Sequence, residues 1–320
     1  MSSLRTLVVG GAGFIGQSLV RCLLADAQRQ VWVLGRSAQP GFALPPEVRY
    51  IQGDASDTAS MTMLLDEVDE VVDLAYATVP KTSFDDPLFD VVSNLPASVN
   101  LQLTASRKPL KRYLLVSSGG TVYGQQQMLT INERHPTNPI SPYGISKLVT
   151  EKYANFFHQM DSLPVIIVRP SNPYGLRQIG KTTQGFIGAS TAALRENRPI
   201  TVFGERGTVR DYIDILDLSS GLKAALNHGH IGSTYNIGTG VGTDNLGVLE
   251  LLQQLAERDG IKMRVTHLPE RRFDVLTNVL DSSLLSEHTG WHPQTTLNQG
   301  LQRVWDQSRS IQPTTQAATT

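Results

Sequence analysis

Short apolar segments alternate with longer helical patterns through the first half of the chain. Six of these segments predict β-strands, at residues 6–9, 31–34, 48–52, 70–74, 113–117 and 165–169. Alternating strands and helices predict βαβ units, which build a parallel sheet with helices on both faces. The segments at 71–74 and 113–116 are apolar almost without interruption, as strands are when helices cover both sides of the sheet. The pattern therefore predicts a buried parallel sheet.

After residue 175 the elements become shorter and more mixed. Strands are expected at 200–203, 209–215 and 235–237, and helices near 185–196, 216–226 and 246–258. We predict the α/β fold class, with a doubly wound parallel sheet in a first domain at 1–170, completed by segments around 209–240. A smaller mixed α/β C-terminal lobe is expected at 171–306. Residues 307–320 are rich in Ser, Thr, Gln and Ala and lack an apolar period, so we expect a disordered tail.

The composition is that of an ordinary globular protein. It is 40% hydrophobic and 18% charged, and its formal net charge is −1. Such a balance gives no charge surplus for nucleic acid or a membrane surface, so we expect neither as a partner. The single cysteine, Cys22, excludes an intrachain disulfide, and no apolar stretch approaches the roughly 18–20 residues of a membrane span. These features predict a cytoplasmic protein.

A glycine-rich turn follows the first predicted strand, with the sequence Gly10-Gly11-Ala12-Gly13-Phe14-Ile15-Gly16. In a turn that closes a strand and opens a helix, backbone N–H groups can approach a pyrophosphate. Gly10 is expected to form the tight turn, and Gly13 to let the phosphates approach without a Cβ in the way. Gly16 is expected to let the helix pack on the strand. The turn predicts a dinucleotide site, which makes the domain at 1–170 a Rossmann-type dinucleotide-binding domain and leaves the lobe at 171–306 to bind substrate.

Tyr143 and Lys147 are four residues apart at the start of a predicted helix. This spacing places both side chains on one face of the helix. A nearby ammonium group stabilises a phenolate and lowers a pKa that is about 10 in the free side chain. We therefore predict that Tyr143 acts as a base near neutral pH.

A hydroxyl-rich segment, Val116-Ser117-Ser118-Gly119-Gly120-Thr121-Val122-Tyr123-Gly124, follows a buried strand. Side chains at the carboxyl end of such a strand project into the crevice where α/β proteins bind ligands. Its hydroxyls are therefore expected to reach a bound ligand and to share a proton with it. A turn that merely caps the strand is the alternative.

No metal site is predicted. His228 and His230 lie at the end of a predicted helix, but no third ligand is in reach by pattern. An exposed helix C-terminus is the better interpretation.

Together these motifs resemble the extended short-chain dehydrogenase/reductase family, specifically its NAD-dependent epimerase/dehydratase group, which acts on nucleotide sugars. The resemblance extends to about residue 306. Besides the motifs above, the matching segments are Gly53-Asp54, Asp73-Leu74-Ala75, Asn94, Arg169-Pro170-Ser171-Asn172, the run 207–213, Tyr235-Asn236-Ile237-Gly238-Thr239-Gly240, Arg271-Arg272-Phe273-Asp274-Val275 and Gly290-Trp291.

The resemblance implies a role for many residues. It implies Tyr143 as the catalytic base and Lys147 as its pKa modifier and a ligand of the nicotinamide ribose. The cofactor-binding set that it implies is Gly10, Gly13, Phe14, Ile15, Gly16, Arg36, Asp54, Ala55, Leu74, Ala75, Ala77, Asn94, Ser117, Tyr143, Lys147 and Pro170. The implied substrate-binding set is Ser118, Gly119, Thr121, Tyr143, Asn172, Arg210, Arg271 and Asp274, with arginines suited to a diphosphate.

The sequence departs from the family pattern at two positions. The catalytic Ser or Thr usually stands four residues before the Tyr of Val-Tyr-Gly, where this chain has Gly119. The role then falls to Ser118, or else to Thr121 or Ser117. The second strand usually ends in an acidic residue for the ribose hydroxyls, whereas Arg36 stands here and is able to receive a 2′-phosphate. We predict NAD as the cofactor, with NADP as the alternative.

The function implied is epimerisation at C4 of a nucleotide sugar, through a transient 4-keto sugar and reversible hydride transfer to bound NAD. The expected substrate is a UDP-hexose, hexosamine or hexuronate. An NADP(H)-dependent reductase of a keto sugar nucleotide is the first alternative, and a non-catalytic binding protein on the same fold is another. A dehydratase is less expected, because Gly119-Gly120-Thr121 offers no acid. Helices near 93–106 and 146–159 are expected to form a homodimer.

Overall fold

The computed structural model describes residues 3–175, 185–271 and 275–309. Its strands are β1 (Leu4–Val9), β2 (Arg29–Gly35), β3 (Arg49–Gln52), β4 (Glu70–Asp73), β5 (Arg112–Val116), β6 (Val165–Pro170), β7 (Asn172–Tyr174), β8 (Ile200–Phe203), β9 (Val209–Asp214), β10 (Thr234–Ile237), β11 (Gly242–Thr243), β12 (Val265–Leu268) and β13 (Thr277–Asn278). Its helices are α1 (Phe14–Leu24), α2 (Thr58–Asp66), α3 (Pro80–Asp85), α4 (Pro87–Ser106), α5 (Pro142–Asp161), α6 (Phe186–Arg195), α7 (Ile215–His228), α8 (Asn245–Arg258), α9 (Ser283–Thr289) and α10 (Leu297–Ser308).

The large sheet has seven strands in the order β10-β6-β5-β4-β1-β2-β3, and every neighbouring pair is parallel. The predicted doubly wound sheet is therefore confirmed. The strand order reverses between β1 and β4, which pair side by side with Val9 opposite Asp73. In an open α/β sheet this reversal opens a crevice at the carboxyl ends of the strands, where ligands bind.

Helices cover both faces of this sheet. On β1, Val8 packs into a core with α1 and α7, while Leu7 packs into a second core with α2, α4 and α5. Successive side chains of a strand point to opposite faces, so two cores require nearly every strand residue to be apolar. This is the physical reason for the uninterrupted apolar segments in the sequence.

A smaller region of mixed structure follows. In it β9 pairs with β7, β11 and β13, and β8 pairs with β12. A third core joins these strands to α6, α8 and α10 around Trp305. The chain returns to the large sheet with α7 and β10, so the two regions are interleaved along the sequence.

The end of the chain departs from the prediction. We expected a disordered tail from residue 307, but α10 continues through Ser308, whose side chain is buried. The predicted tail at 310–320 lies outside the described residues. Within the described ranges, no helix combines the length and the apolar character needed to span a membrane.

Candidate active site

The glycine turn closes β1 and opens α1 as predicted. Gly10 has φ +78°, and a Cβ there would lie 3.0 Å from the backbone nitrogen of Ala75. A Cβ on Gly16 would lie 2.5 Å from backbone atoms of Gly11, so this glycine lets α1 approach the turn itself rather than the strand. Gly13 precedes α1 and offers no side chain to its first N–H groups. The positive end of the helix dipole is therefore open to an anion.

A cavity of about 380 Å³ lies at the carboxyl ends of the strands next to this turn. Seven of the predicted cofactor residues line it, namely Gly10, Arg36, Asp54, Ala55, Ala75, Ala77 and Asn94. Tyr76, which the sequence analysis did not single out, lines it as well. The cavity connects the glycine turn with the loop after β4, and we refer to it as the cofactor cleft.

Arg36 and Asp54 lie at one end of the cofactor cleft. Asp54 Oδ1 accepts hydrogen bonds of 2.8 Å from the backbone N–H and from the hydroxyl of Ser56. These bonds, followed by the nearby charge of Arg36, hold the pKa of Asp54 below its usual range. This end of the cleft therefore carries both a positive and a negative charge.

Asn94 also lines the cleft and is held on both sides of its amide. Its Oδ1 accepts a bond of 2.6 Å from the N–H of Ala77, and its Nδ2 donates to Thr78 and to the carbonyl of Asp90. Asn94 thus fixes the loop after β4 against α4. Its contribution to the cleft is to hold that loop in position.

Tyr143 and Lys147 lie in the first two turns of α5, which Ser141 caps by accepting a bond of 3.2 Å from the N–H of Gly144. The Lys147 side chain is buried, and its Nζ donates a hydrogen bond of 3.0 Å to the carbonyl of Val116. The same Nζ lies 4.0 Å from the centroid of the Tyr76 ring. The Tyr76 and Tyr143 rings meet edge to face, with centroids 5.0 Å apart.

The electrostatics of this pair differ from the prediction. Burial lowers the pKa of Lys147 to about 8, although three carboxylates oppose this effect. Burial and then the charge of Asp90 raise the pKa of Tyr143 above its usual value. The expected lowering of the Tyr143 pKa is therefore wrong for the chain by itself. Tyr143 keeps its proton near neutral pH unless a further positive charge lies beside it.

Asp90 is a second residue that the sequence analysis missed. It is fully buried on α4, where its Oδ1 accepts bonds from the hydroxyl of Thr78 and from Asn94 Nδ2. Its Oδ2 is buried and finds no hydrogen-bond partner within the described ranges. The sequence signal that could have identified Asp90 is its spacing from Asn94, because residues four apart share one helix face.

The two serines and the threonine of the hydroxyl-rich segment differ in burial and in hydrogen bonding. Ser117 is buried, and its hydroxyl donates to Glu151, whose carboxylate also pairs with Arg169 at 2.6 Å. Ser118 is half-buried next to it. The Thr121 hydroxyl is buried without a hydrogen-bond partner in the part of the chain that the structure describes. Ser117 therefore belongs to an internal polar network.

Gly119 is packed too tightly for a side chain. A Cβ there would lie 2.5 Å from Leu280 Cδ1 and 2.9 Å from the carbonyl oxygen of Arg169. A serine at this position would point into the interior and displace Leu280. This packing explains physically why the hydroxyl that usually stands at this position in the family is absent here.

Among the predicted substrate residues, Asn172, Arg210 and Arg271 lie beyond β6 in the smaller region. Asn172 on β7 has a buried Nδ2 without a partner within the described residues, and a Cβ on Gly120 would lie 3.7 Å from it. Arg210 on β9 is half-buried, and its Nη1 donates 2.8 Å to the carbonyl of Val209. Arg271 is exposed and stacks over the ring of Phe203, at 4.1 Å from its centroid. Asp274 lies outside the described residues.

The remaining predicted cofactor residues are not among those that line the cleft. Phe14 and Ile15 form the start of α1. Leu74 extends the ladder of β4 by donating 3.0 Å to the carbonyl of Val9, and Pro170 ends β6 and accepts 2.9 Å from the N–H of Gly119. No cluster of three or more His, Cys, Asp or Glu side chains suited to a metal occurs among the described residues.

A profile of the NAD dependent epimerase/dehydratase family matches residues 6–238. The chain belongs to this family. It is 32% identical over 308 residues to a UDP-glucose 4-epimerase of Mycolicibacterium smegmatis, covering 94% of this chain and 97% of the relative. The resemblance inferred from the motifs is therefore confirmed.

Solved structures agree with this assignment. The UDP-glucose 4-epimerase of Thermotoga maritima, with UDP-glucose, superposes with a TM-score of 0.88 at 29% identity, covering 96% of this chain and 99% of that one. The UDP-glucuronic acid 4-epimerase of Bacillus cereus was solved in complex with UDP-glucuronic acid and NAD. It superposes with a TM-score of 0.86 at 26% identity, covering 95% of this chain and 98% of that one. The relatives also include dTDP-glucose 4,6-dehydratases.

Proposed function

We propose that this protein is an NAD-dependent nucleotide-sugar epimerase that inverts C4 of a UDP-linked sugar. The observation that carries the proposal is the placement of Tyr143 and Lys147 on one face of α5, in contact with Tyr76 at the cofactor cleft. A phenol, an ammonium group and a dinucleotide cleft together suit reversible oxidation of an alcohol. The relatives named as UDP-sugar 4-epimerases support the same reaction.

The residues of the cleft fit NAD. The uncapped start of α1 and the bare Gly13 offer N–H groups to a pyrophosphate. Arg36, Asp54 and Ala55 would lie around the adenosine part, and Ala75, Ala77 and Asn94 along the rest of the cleft. NAD bound here would supply a reversible hydride acceptor and a positive charge. A positive charge is what the raised pKa of Tyr143 requires.

Tyr143 holds and moves the proton of the reaction. It accepts the proton of the C4 hydroxyl during oxidation and returns it during reduction. Lys147 contributes its ammonium charge from the same helix face and binds the nicotinamide ribose. Ser118 shares the proton at the sugar hydroxyl, in place of the residue absent at Gly119.

Inversion requires that the 4-keto sugar presents its other face before it is reduced. The nucleotide diphosphate must therefore stay bound while the sugar turns, which uses binding energy remote from the reacting carbon. We assign this binding to Asn172, Arg210 and Arg271, since guanidinium groups pair bidentately with phosphate oxygens. The Nδ2 of Asn172, which is buried and has no partner among the residues that the structure describes, supports its part in this assignment.

The test is to incubate the purified protein, without added cofactor, separately with UDP-glucose, UDP-N-acetylglucosamine and UDP-glucuronate. We expect chromatography to show interconversion with the C4 epimer for at least one of them, and acid extraction to release NAD. The three arms also identify the substituents tolerated at C2 and C6. Absence of any interconversion with NAD fully loaded would exclude the epimerase.

An NADP(H)-dependent reductase of a keto nucleotide sugar is the second candidate. It is favoured by one observation, which is that Arg36 lines the cleft where an adenosine 2′-phosphate would lie. Stoichiometric oxidation of added NADPH by a 4-keto sugar nucleotide would establish it. The negative charge of Asp54 beside Arg36 favours NAD.

A homodimer is also part of the proposal. Helices α4 and α5 pack together, and large apolar side chains stand exposed on both. On α5 the exposed set is Ile145, Tyr153, Phe156 and Met160, which follow one another at helical spacing along a single stripe. On α4 it includes Leu88 and Val92, which are 72% and 58% exposed. An isologous pairing of these faces across a two-fold axis would bury them.

A further inference from the structure

We propose that Tyr76 is a positioning residue for Tyr143 and Lys147, and that its ring, rather than its hydroxyl, performs this role. The inference rests on the proposed function, because it assigns Tyr76 to the same proton-transfer site. Neither the motifs nor the implied cofactor set included Tyr76, which stands between Ala75 and Ala77 in the loop after β4.

The ring of Tyr76 contacts both members of the pair. The Lys147 Nζ lies over the face of the Tyr76 ring, 4.0 Å from its centroid. The centroids of the Tyr76 and Tyr143 rings are 5.0 Å apart, and the two ring planes form an angle of 71°. Lys147 also bonds the Val116 carbonyl, so the ammonium group is held between a main-chain oxygen and an aromatic face. Tyr76 therefore fixes the distance between the ammonium group and the Tyr143 ring from outside α5.

The charges around Lys147 explain why an aromatic face matters here. Three carboxylates act on the ammonium group, namely Asp73 at the end of β4, Asp90 on α4 and Glu151 on α5. Asp73 also accepts a bond of 3.0 Å from the Tyr113 hydroxyl, and Glu151 is paired with Arg169. Both carboxylates are thus committed to other partners. The Tyr76 ring stabilises the buried ammonium group by a cation–π contact and adds no charge near Tyr143.

The hydroxyl of Tyr76 takes no part in positioning Lys147 or Tyr143. Burial, followed by the charges of Asp90 and Tyr143, raises the pKa of Tyr76 far above its usual value. Tyr76 therefore stays protonated and does not act as a second base. Phenylalanine keeps the aromatic face and removes only the hydroxyl, so it should replace tyrosine without loss.

The experiment compares Tyr76→Phe with Tyr76→Leu, which removes the ring but keeps an apolar side chain. We expect Tyr76→Phe to keep the kcat and pH profile of the wild type. For Tyr76→Leu we expect kcat to fall by about tenfold or more, with the KM for the UDP-sugar within about twofold of wild type. The alkaline limb of its kcat profile should lie about one pH unit lower, because the ammonium group has lost its aromatic face.

A second readout does not depend on catalysis. Lysine labelled with 13C at Cε reports the titration of Lys147 by NMR, and the signal is assigned from the spectrum of Lys147→Arg. Lys147 should titrate about one pH unit lower in Tyr76→Leu than in wild type and Tyr76→Phe. Because this titration is measured in the protein without substrate, it tests the contact even if the protein proves not to be an epimerase.

Three outcomes would overturn the inference. The first is a Tyr76→Leu protein with wild-type kcat and an unshifted Lys147 titration. The second is an equal loss in Tyr76→Phe and Tyr76→Leu, which would assign the role to the hydroxyl. The third is a fall in kcat without any shift of the Lys147 titration. If Tyr76→Leu does not fold, as judged by circular dichroism, Tyr76→Met serves as the ring-free variant.

Discussion

The ammonium group of Lys147 donates a hydrogen bond of 3.0 Å to the main-chain carbonyl of Val116, the last residue of β5. A single neutral oxygen and an aromatic face replace the water that surrounds an exposed lysine. Burial therefore lowers the pKa of Lys147 to about 8, so the charge is present below that pH and is lost as the pH rises through it. The pH at which Lys147 loses its charge therefore lies within the range where enzymes are assayed.

We predict that kcat falls as the pH rises through about 8, the pKa that burial gives Lys147. The measurement is kcat at saturating UDP-sugar across neutral and alkaline pH. Lys147→Arg is the control, since a guanidinium group keeps its charge throughout this range and should remove the alkaline decline. A wild-type rate that holds level to about pH 10 would contradict the role of this charge.

Tyr143→Phe should lower turnover by about 10²–10⁴, because it removes the proton acceptor. The ring contact with Tyr76 does not involve the hydroxyl, so the fold and NAD binding should be kept. Turnover is measured by chromatography of the two epimers, and bound NAD by extraction. A variant with nearly full turnover would exclude Tyr143 as the base.

Ser118→Ala should lower kcat by about 10²-fold if Ser118 shares the proton of the sugar hydroxyl. Thr121→Val is the matched comparison, because it also removes one hydroxyl from the segment while keeping the side-chain shape. The Thr121 hydroxyl is buried without a partner in the described structure, so Thr121→Val should cost no stability, and the two variants together show which hydroxyl serves the reaction. A loss confined to Thr121→Val would transfer the role to that residue.

Arg36→Ala tests the choice of cofactor. If Arg36 receives a 2′-phosphate, its removal weakens NADP(H) by about tenfold or more, roughly 1.4 kcal/mol, and leaves NAD(H) unchanged. We expect instead that the two affinities stay level, since Asp54 shares this end of the cleft. Both cofactors are titrated into stripped protein. Arg49→Ala is the control, because Arg49 stacks over Trp32 at 4.1 Å and does not line the cleft.

Phe156→Glu should separate the proposed homodimer. Phe156 is 51% exposed and lies in the middle of the apolar stripe of α5. At an isologous interface a carboxylate at this position would be buried against the same carboxylate of the second protomer or against its apolar surface, and either contact is unfavourable. Light scattering at micromolar concentration should give the dimer mass for wild type and the monomer mass for this variant. Gln254→Glu adds the same charge at an exposed polar position of α8, which packs on α6 and α10, and should remain dimeric. A monomeric wild type would reject the dimer.

Local sequence patterns were sufficient to predict the large sheet and the position of the Tyr143 and Lys147 pair. Strands buried on both faces must be apolar throughout, and a spacing of four residues within one helix fixes a shared face. Contacts between distant segments carry no such pattern. Tyr76 reaches α5 from the loop after β4, and Gly119 is crowded by Leu280 from the far end of the chain. The pKa of Tyr143 likewise depends on Asp90, which folding alone brings near.

The pairing of β10 with β6 has a consequence for synthesis of the protein. The N–H of Ser171 donates to the carbonyl of Ile237, and the N–H of Ile167 donates to that of Ser233, so the edge of β6 is satisfied only by the later strand. A growing chain that has emerged from the ribosome only as far as β6 presents an open, apolar sheet edge, the kind of surface that promotes aggregation. Until β10 emerges, only chaperones or rapid translation would protect the open edge of β6 from aggregation.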